Sequence, residues 1–299
     1  MYKLKCNRLY ASEIANYLNT SFYGKDILII KPVDINAKED NVLCYYDGKS
    51  SDALSSISNE VLIIAEYSGN IGLGENITVI ASKNPKRDFY KAVNEFFVQG
   101  KPHTIDKSAF VIPEAKIGYN VNIGKNSYID SNVEIGNNTY IGNNVIISGT
   151  VSLGSNCIVK DGAVIGSEGF AFIEDPEGII HIPQFGEIKI GNDVWIGTNT
   201  TIERPVFGKT YIDNAVKIDD LVHIGQGVSI GAESQITAGV VLATNVKVGC
   251  KCFLGINSSV KDMVQIGDNA VIGMGSAVIS DVSSNQTYMG VPAKQKGTK

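Results

Sequence analysis

His223, with the pair Asp219-Asp220 three and four residues before it, is the constellation in this chain best suited to acid–base work. An imidazole exchanges its proton near neutral pH, so a positioned His is the commonest general base. A neighbouring carboxylate can orient the imidazole or a bound substrate. The competing reading of His223 is a surface or interface side chain that only hydrogen-bonds substrate. For Asp219 and Asp220 it is turn chemistry, which Asp serves well. Glu203-Arg204 reads as a structural ion pair. The other two histidines stand apart: His181 falls in a long irregular stretch and His103 near a boundary. Histidines at 103, 181 and 223, separated by 78 and 42 residues, do not suit ligands of one zinc ion, and Cys250/Cys252 lack partners for a zinc site. No metal is expected.

The elements that hold these residues follow from a six-residue period. Aliphatic residues recur at Val111, Ile117, Ile123, Ile129, Ile135, Ile141, Ile147, Leu153, Val159 and Ile165. The register resumes at Ile190, Ile196 and Ile202, and again from Ile212 through Ile218, Ile224, Ile230 and onward to Val278. None of these 25 positions is polar, which chance does not produce. A period of six is neither helical nor a simple alternation. It marks hexapeptide β-helix repeats, in which three hexads make one coil of a triangular prism. The aliphatic residue and a small residue four later, such as Val121, Cys157, Val222 or Cys252, point into the core. The Gly or Asn that follows the aliphatic is expected to supply the turn conformation. His223, one residue before Ile224, then points outward, as does Trp195 before Ile196, and both suit a neighbouring subunit in a homotrimer.

The repeat is broken twice, between Ile165 and Ile190 and between Ile202 and Ile212. Insertions in a solenoid leave from one edge and build binding faces. The expected organisation is an α/β nucleotide-binding domain over 1–105, a left-handed parallel β-helix over 106–282, and a short tail over 283–299. The first domain has no hexads. It predicts a helix over 11–18 capped by Ser12, strands at 27–30, 42–46, 61–64 and 77–80, and a helix starting after Pro85 with Phe89, Val93 and Phe96 on one face. Gly100-Lys101-Pro102 marks the boundary. The chain has 299 residues and net charge −5, which does not suggest nucleic acid or a membrane surface. No apolar run approaches the roughly 18 residues of a span, and the N-terminus lacks a signal-peptide centre. A cytoplasmic location is expected.

With these strings in hand, the chain resembles the left-handed β-helix acyltransferases, and among them the lipid A pathway N-acyltransferases of the LpxD type. The resemblance rests on Lys83-Asn84-Pro85, Gly166-Ser167-Glu168-Gly169-Phe170, Ile182-Pro183-Gln184-Phe185-Gly186, Thr200-Thr201-Ile202-Glu203-Arg204 and Ile218-Asp219-Asp220. It implies a trimer with active sites between adjacent prisms. The departures count as well. The family's base lies two residues after a hexad aliphatic, where this chain has Gln226, while His223 falls where related O-acyltransferases carry a His. A second family His aligns with Met263. The family's base-recognition string is replaced by Cys44-Tyr45-Tyr46-Asp47-Gly48-Lys49. The end, Gly290-Val291-Pro292-Ala293-Lys294, resembles that of enzymes using acyl-CoA, and no C-terminal helical segment follows.

These departures predict an N-acyltransferase that moves an acyl group from acyl-CoA to a nucleotide-linked amino sugar for surface polysaccharide, such as a dTDP-amino-dideoxyhexose of the anthrose type. Acyl-CoA is a cosubstrate, and no cofactor is implied. Expected catalytic residues are His223, Asp219, Asp220 and Gln226. Expected nucleotide or substrate contacts are Tyr45, Tyr46, Asp47, Lys49, Phe170, His181 and Gln184, with thymidine at least as favoured as uridine. Outward small positions at Gly239, Ala243, Gly255 and Ser258 are expected to admit pantetheine, with Lys261 and Lys294 on the CoA phosphates. Backbone N–H groups of Gly225, Gly239 or Ala243 are candidates for the oxyanion. His223 is either the base or a positioning group, with the proton passing to the thiolate or substrate. The alternatives are a UDP-3-O-acylglucosamine N-acyltransferase of lipid A synthesis fed by acyl carrier protein, a sugar O-acyltransferase, and a non-catalytic nucleotide-sugar-binding scaffold.

Overall fold

The computed structural model describes residues 3–5, 7–48, 57–67, 74–99 and 103–298. Cys6, Lys49 and the string Gly100-Lys101-Pro102 lie outside the described residues. The chain divides into two compact units, Met1–Lys101 and Pro102–Lys299.

The first unit is built on a five-stranded sheet in the order Phe22–Tyr23, Ile77–Ala81, Val61–Ala65, Val42–Tyr46 and Lys31–Pro32. All neighbours are parallel except the edge strand Phe22–Tyr23. The central strands are near-continuous apolar runs because both faces are covered. Alternation sends Val42, Cys44, Val61, Ile63 and Ala65 to one core, and Leu43, Leu62, Ile64 and Ile80 to the other. The second core also takes the helices Ala11–Tyr17 and Pro85–Ala92, with Phe89 and Ala92 buried. Asn84 caps the latter by accepting from the Arg87 amide at 3.1 Å, and Pro85 is its first residue. The helix widens into a π turn at Val93–Phe97, which carries Phe97 rather than Phe96 fully inside.

Two local expectations are corrected. Ser12 does not cap the first helix. Tyr10 holds that position, its amide donating to Glu13 at 2.7 Å, while the Ser12 hydroxyl donates to Asp26. The run 27–30 does not join the main sheet, since Leu28–Ile29 pairs with Leu9–Tyr10.

The second unit is a left-handed parallel β-helix. Its three faces are parallel sheets, beginning at Phe110–Val111, Lys116–Ile117 and Asn122–Ile123. Successive coils stack in register, so Ile123 pairs with Ile141, and Ile141 with Val159. The hexad residues and their small partners fill one continuous core. Cys157 and Cys252 lie in it and Cys250 is exposed.

The turn chemistry differs from expectation. Left-handed φ falls three residues after the aliphatic, at Asn120, Asn126, Asn138, Asn144 and Asn156, and even at Ala215 and Leu221. Asn tolerates that conformation through local hydrogen bonding. The Gly directly after most aliphatics serves close approach instead. A Cβ on Gly231 would stand 2.6 Å from the carbonyl carbon of Gly249 in the next coil.

Both insertions lie between strands of the stack. The first extends Val164–Glu168, then projects an exposed antiparallel hairpin, Phe172–Asp175 with Gly178–His181. The second joins Thr201–Arg204 to Lys209–Ile212. The two insertions bond to each other, the Phe185 amide to the Val206 carbonyl at 2.9 Å and the Gly186 amide to Pro205 at 3.0 Å. The segment after 283 is part of the fold rather than a loose tail. Gln286–Met289 continues the third face beside Val271–Ile272 and turns back through Lys294–Thr298. Among the described residues, no helix is long and apolar enough to cross a membrane.

Candidate active site

The site grows from the strand Thr201–Arg204, which lies between Val164–Glu168 and His223–Ile224 on one face of the prism. Thr201 is the direct neighbour of His223. Its hydroxyl lies 2.9 Å from the His223 Nδ1 and fixes the ring. Two residues along the same strand, Glu203 presents its carboxylate to the other ring nitrogen, with Oε1 3.9 Å from Nε2. The Glu203 side chain is 17% exposed and that of His223 39%. Burial pushes the Glu203 carboxyl above its ordinary value, and the His223 charge offsets only part of that rise.

The first insertion roofs this pair. A Cβ on Gly169 would overlap Glu203 Oε2 and stand 2.5 Å from Gln226 Nε2, so a larger residue there would push both side chains aside. Gln184 clamps the same residue twice. Its Oε1 accepts from the Gly169 amide at 2.9 Å, and its Nε2 donates to the Gly169 carbonyl at 2.7 Å. Gln226 Nε2 donates to the Phe170 carbonyl at 3.3 Å. Beside them, Glu168 takes Arg204 at 2.7 Å and His181 at 3.2 Å. Arg204 also donates to the Gly166 carbonyl. Phe170 is 88% exposed and packs edge-on against Phe172.

Several expected roles move. Gln226, expected to be catalytic, and Gln184, expected to touch substrate, are buried and hold the insertion's backbone instead. Glu203 and Arg204 do not pair with each other. Successive strand residues face opposite ways, and Arg204 reaches Glu168 instead. Asp220 does not orient His223. Its carboxylate accepts from Lys160 at 2.6 Å and from the Thr198 amide at 2.7 Å, which holds it below the usual carboxylate range despite partial burial. Asp219 lines a separate cleft of about 280 Å³ with Trp195, Lys217, Gln235 and Thr237. Glu203 is thus the residue that sequence reasoning undervalued.

The expected donor groove fares differently. Ser258 is fully buried and faces the prism core, so it cannot line an outer groove. Gly255 is buried between coils, its absent Cβ 2.6 Å from the Met274 amide. Gly239 is a left-handed turn residue against Asn257. Ala243 is half-buried, while Lys261 and Lys294 are exposed. The amides of Gly225, Gly239 and Ala243 already donate to Leu242, Asp220 and Val260, so none is free to hold an oxyanion.

In the first unit, Tyr45 and Tyr46 fall on opposite faces of the sheet. The Tyr45 ring packs on Phe89 and Tyr90, at 5.1 and 6.2 Å between centroids. One base therefore cannot stack on both rings. Asp47 is exposed at the strand end. Among the described residues, no cluster of three His, Cys, Asp or Glu is placed to hold a metal ion.

Comparison with known proteins fits this geometry. The bacterial transferase hexapeptide family (six repeats) matches residues 114–149 and 132–167, and the hexapeptide repeat of succinyl-transferase matches 245–280. The chain carries the hexapeptide repeat and shares the left-handed β-helix fold. It is similar to proteins named UDP-3-O-acylglucosamine N-acyltransferase. That of Bordetella pertussis is 38% identical over 134 residues, 44% of this chain and 37% of the relative. That of a Caulobacter species is 35% identical over 133 residues, 44% of this chain and 39% of the relative. The match spans well under half the length of these relatives. Among solved structures, the Francisella novicida UDP-N-acetylglucosamine acyltransferase aligns with a TM-score of 0.61 at 27% identity, over 66% of this chain and 71% of that one. The Arabidopsis UDP-N-acetylglucosamine acyltransferase gives 0.53 at 27%, over 65% and 74%.

These names overturn the main functional expectation. They point to a UDP-linked acylated glucosamine, not to a dTDP-amino-dideoxyhexose of the anthrose type, and nothing in them supports an acyl-CoA donor. The reading held as the alternative is the better supported.

Proposed function

We propose that this protein is an N-acyltransferase acting on UDP-3-O-acylglucosamine, the sugar amine being acylated from acyl carrier protein in lipid A synthesis. The observation that carries this reading is the His223 ring, fixed by Thr201, beside the half-buried Glu203 under the Gly169 roof. An amine attacking a thioester must shed a proton, and a fixed imidazole is suited to take it. His223 does so in place of the family's base position, where Gln226 is occupied with Phe170. The resemblance to N-acyltransferases supplies the substrate class.

A homotrimer belongs to the same reading. It would cover the exposed Phe170, Phe185 and Phe207 of the insertions. In the first unit, Tyr46 and Asp47 are the contacts proposed for the nucleotide, with uridine now the expected base.

Binding tests this before any chemistry is measured. UDP at a hundredfold excess over its Kd stabilises the folded protein by about 2.7 kcal/mol through mass action. A melting curve should therefore rise with UDP and rise less with dTDP. A larger rise with dTDP contradicts the proposed acceptor.

A further inference from the structure

The 3.9 Å between Glu203 Oε1 and His223 Nε2 is too long for a direct hydrogen bond. It is wide enough for one small donor to bond both atoms at once. The two atoms differ in kind: a carboxylate oxygen accepts only, and the imidazole accepts at Nε2 in the tautomer whose Nδ1–H donates to the Thr201 hydroxyl. Both are fixed. Thr201 holds the ring from its far side, and the Gly169 backbone lies against Glu203. A group that fills this notch must offer two hydrogens from a single atom.

We infer that Glu203 and His223 form a notch selecting an amine over a hydroxyl as the acyl acceptor, with Glu203 the specificity-determining residue. This rests on the proposed N-acyltransferase reading and deepens it. An ammonium nitrogen donates to Glu203 and to His223 together, and its positive charge meets the carboxylate. A sugar hydroxyl has one hydrogen, so it leaves one acceptor of the pair unserved, and an unserved half-buried acceptor costs binding. The same arrangement orders the reaction. One ammonium proton passes to His223 Nε2, which frees the nitrogen lone pair. A second N–H stays on Glu203 and aims that lone pair. The nitrogen attacks the thioester carbonyl carbon, and as the tetrahedral intermediate collapses its extra proton passes to the Glu203 carboxylate and on to solvent. The C–S bond breaks, and the departing thiolate takes the proton held by His223. The amide forms with no other reactant.

The test uses two acceptors that differ at one group: UDP-3-O-acylglucosamine, with an amine at C2, and UDP-3-O-acylglucose, with a hydroxyl there. Acyl-acyl carrier protein is the donor for both. In Glu203→Gln, kcat/KM for the amine should fall roughly 10- to 100-fold, the range of a lost charge-assisted hydrogen bond. The hydroxyl acceptor should change less than threefold, so the preference collapses. An unchanged preference in a variant that melts like the parent overturns the inference. Should the variant not fold, the parent protein decides. Without donor, it should bind the amine acceptor at least tenfold more tightly than the hydroxyl analogue, and equal affinities overturn the notch. A parent protein that acylates neither acceptor refutes the N-acyltransferase reading instead, which keeps the two failures apart.

Discussion

Replacing His223 with Asn lowers kcat by roughly 10²–10⁴-fold and removes the acid limb of the rate profile. Asn keeps a side chain of similar reach, and its amide can still bond Thr201 across the 2.9 Å contact, so the fold and acceptor affinity should hold. The lost capacity is proton uptake. The limb has a definite sign: a protonated imidazole cannot serve as base, so the parent enzyme loses rate as pH falls. The variant lacks that dependence. Had His223 only positioned substrate, the change would fall mainly on KM, with kcat down about tenfold, or about 1.4 kcal/mol. Steady-state kinetics across pH separate the outcomes.

The second large effect is on stability. Ile224→Ala removes a fully buried side chain from the prism core directly beneath His223. Such a truncation costs about 2–5 kcal/mol, through lost transfer energy and the cavity left behind. In a solenoid each coil is stabilised by its neighbours, so damage in a central coil weakens the stack on both sides. Urea unfolding should show a lower midpoint. A loss under about 1 kcal/mol would mean that the coil collapses around the gap and that the core is less tightly packed than its burial indicates.

Much of the β-helix was legible because its period is enforced by geometry. A coil of three equal faces requires an aliphatic residue every six positions, and Ile123, Ile141 and Val159 stack as that period demands. The turn was misread for a physical reason. Glycine suggests left-handed backbone, but here most hexad glycines make room for the next coil, while Asn three residues on takes the left-handed turn. Ser258 was placed outside although its offset of four from Leu254 sends it into the core, where it is fully buried.

The site was less legible because it is made across insertions. Thr201 was within reach: it lies 22 residues before His223, one coil plus the excess of the second insertion, which puts the two side by side. Glu203 was not. Its neighbour Arg204 suggested an ion pair, and only the folded strand shows that the two side chains diverge. Gly169 and Gln184 meet because the hairpin Phe172–Asp175 with Gly178–His181 brings its ends together, and no local pattern announces that contact. The nucleotide preference was drawn from a single strand end, and its leaning to thymidine gave way to the relatives' names.

The most direct test of the account is acyl transfer itself, followed by intact mass of the acceptor. Purified protein is mixed with UDP-3-O-acylglucosamine and acyl-acyl carrier protein, and the product is treated with mild alkali, which cleaves esters and leaves amides. The account predicts one acyl group added in an alkali-stable amide, with His223→Asn abolishing nearly all of it. An added acyl group that alkali removes, or no transfer by a folded protein that binds UDP, would contradict it.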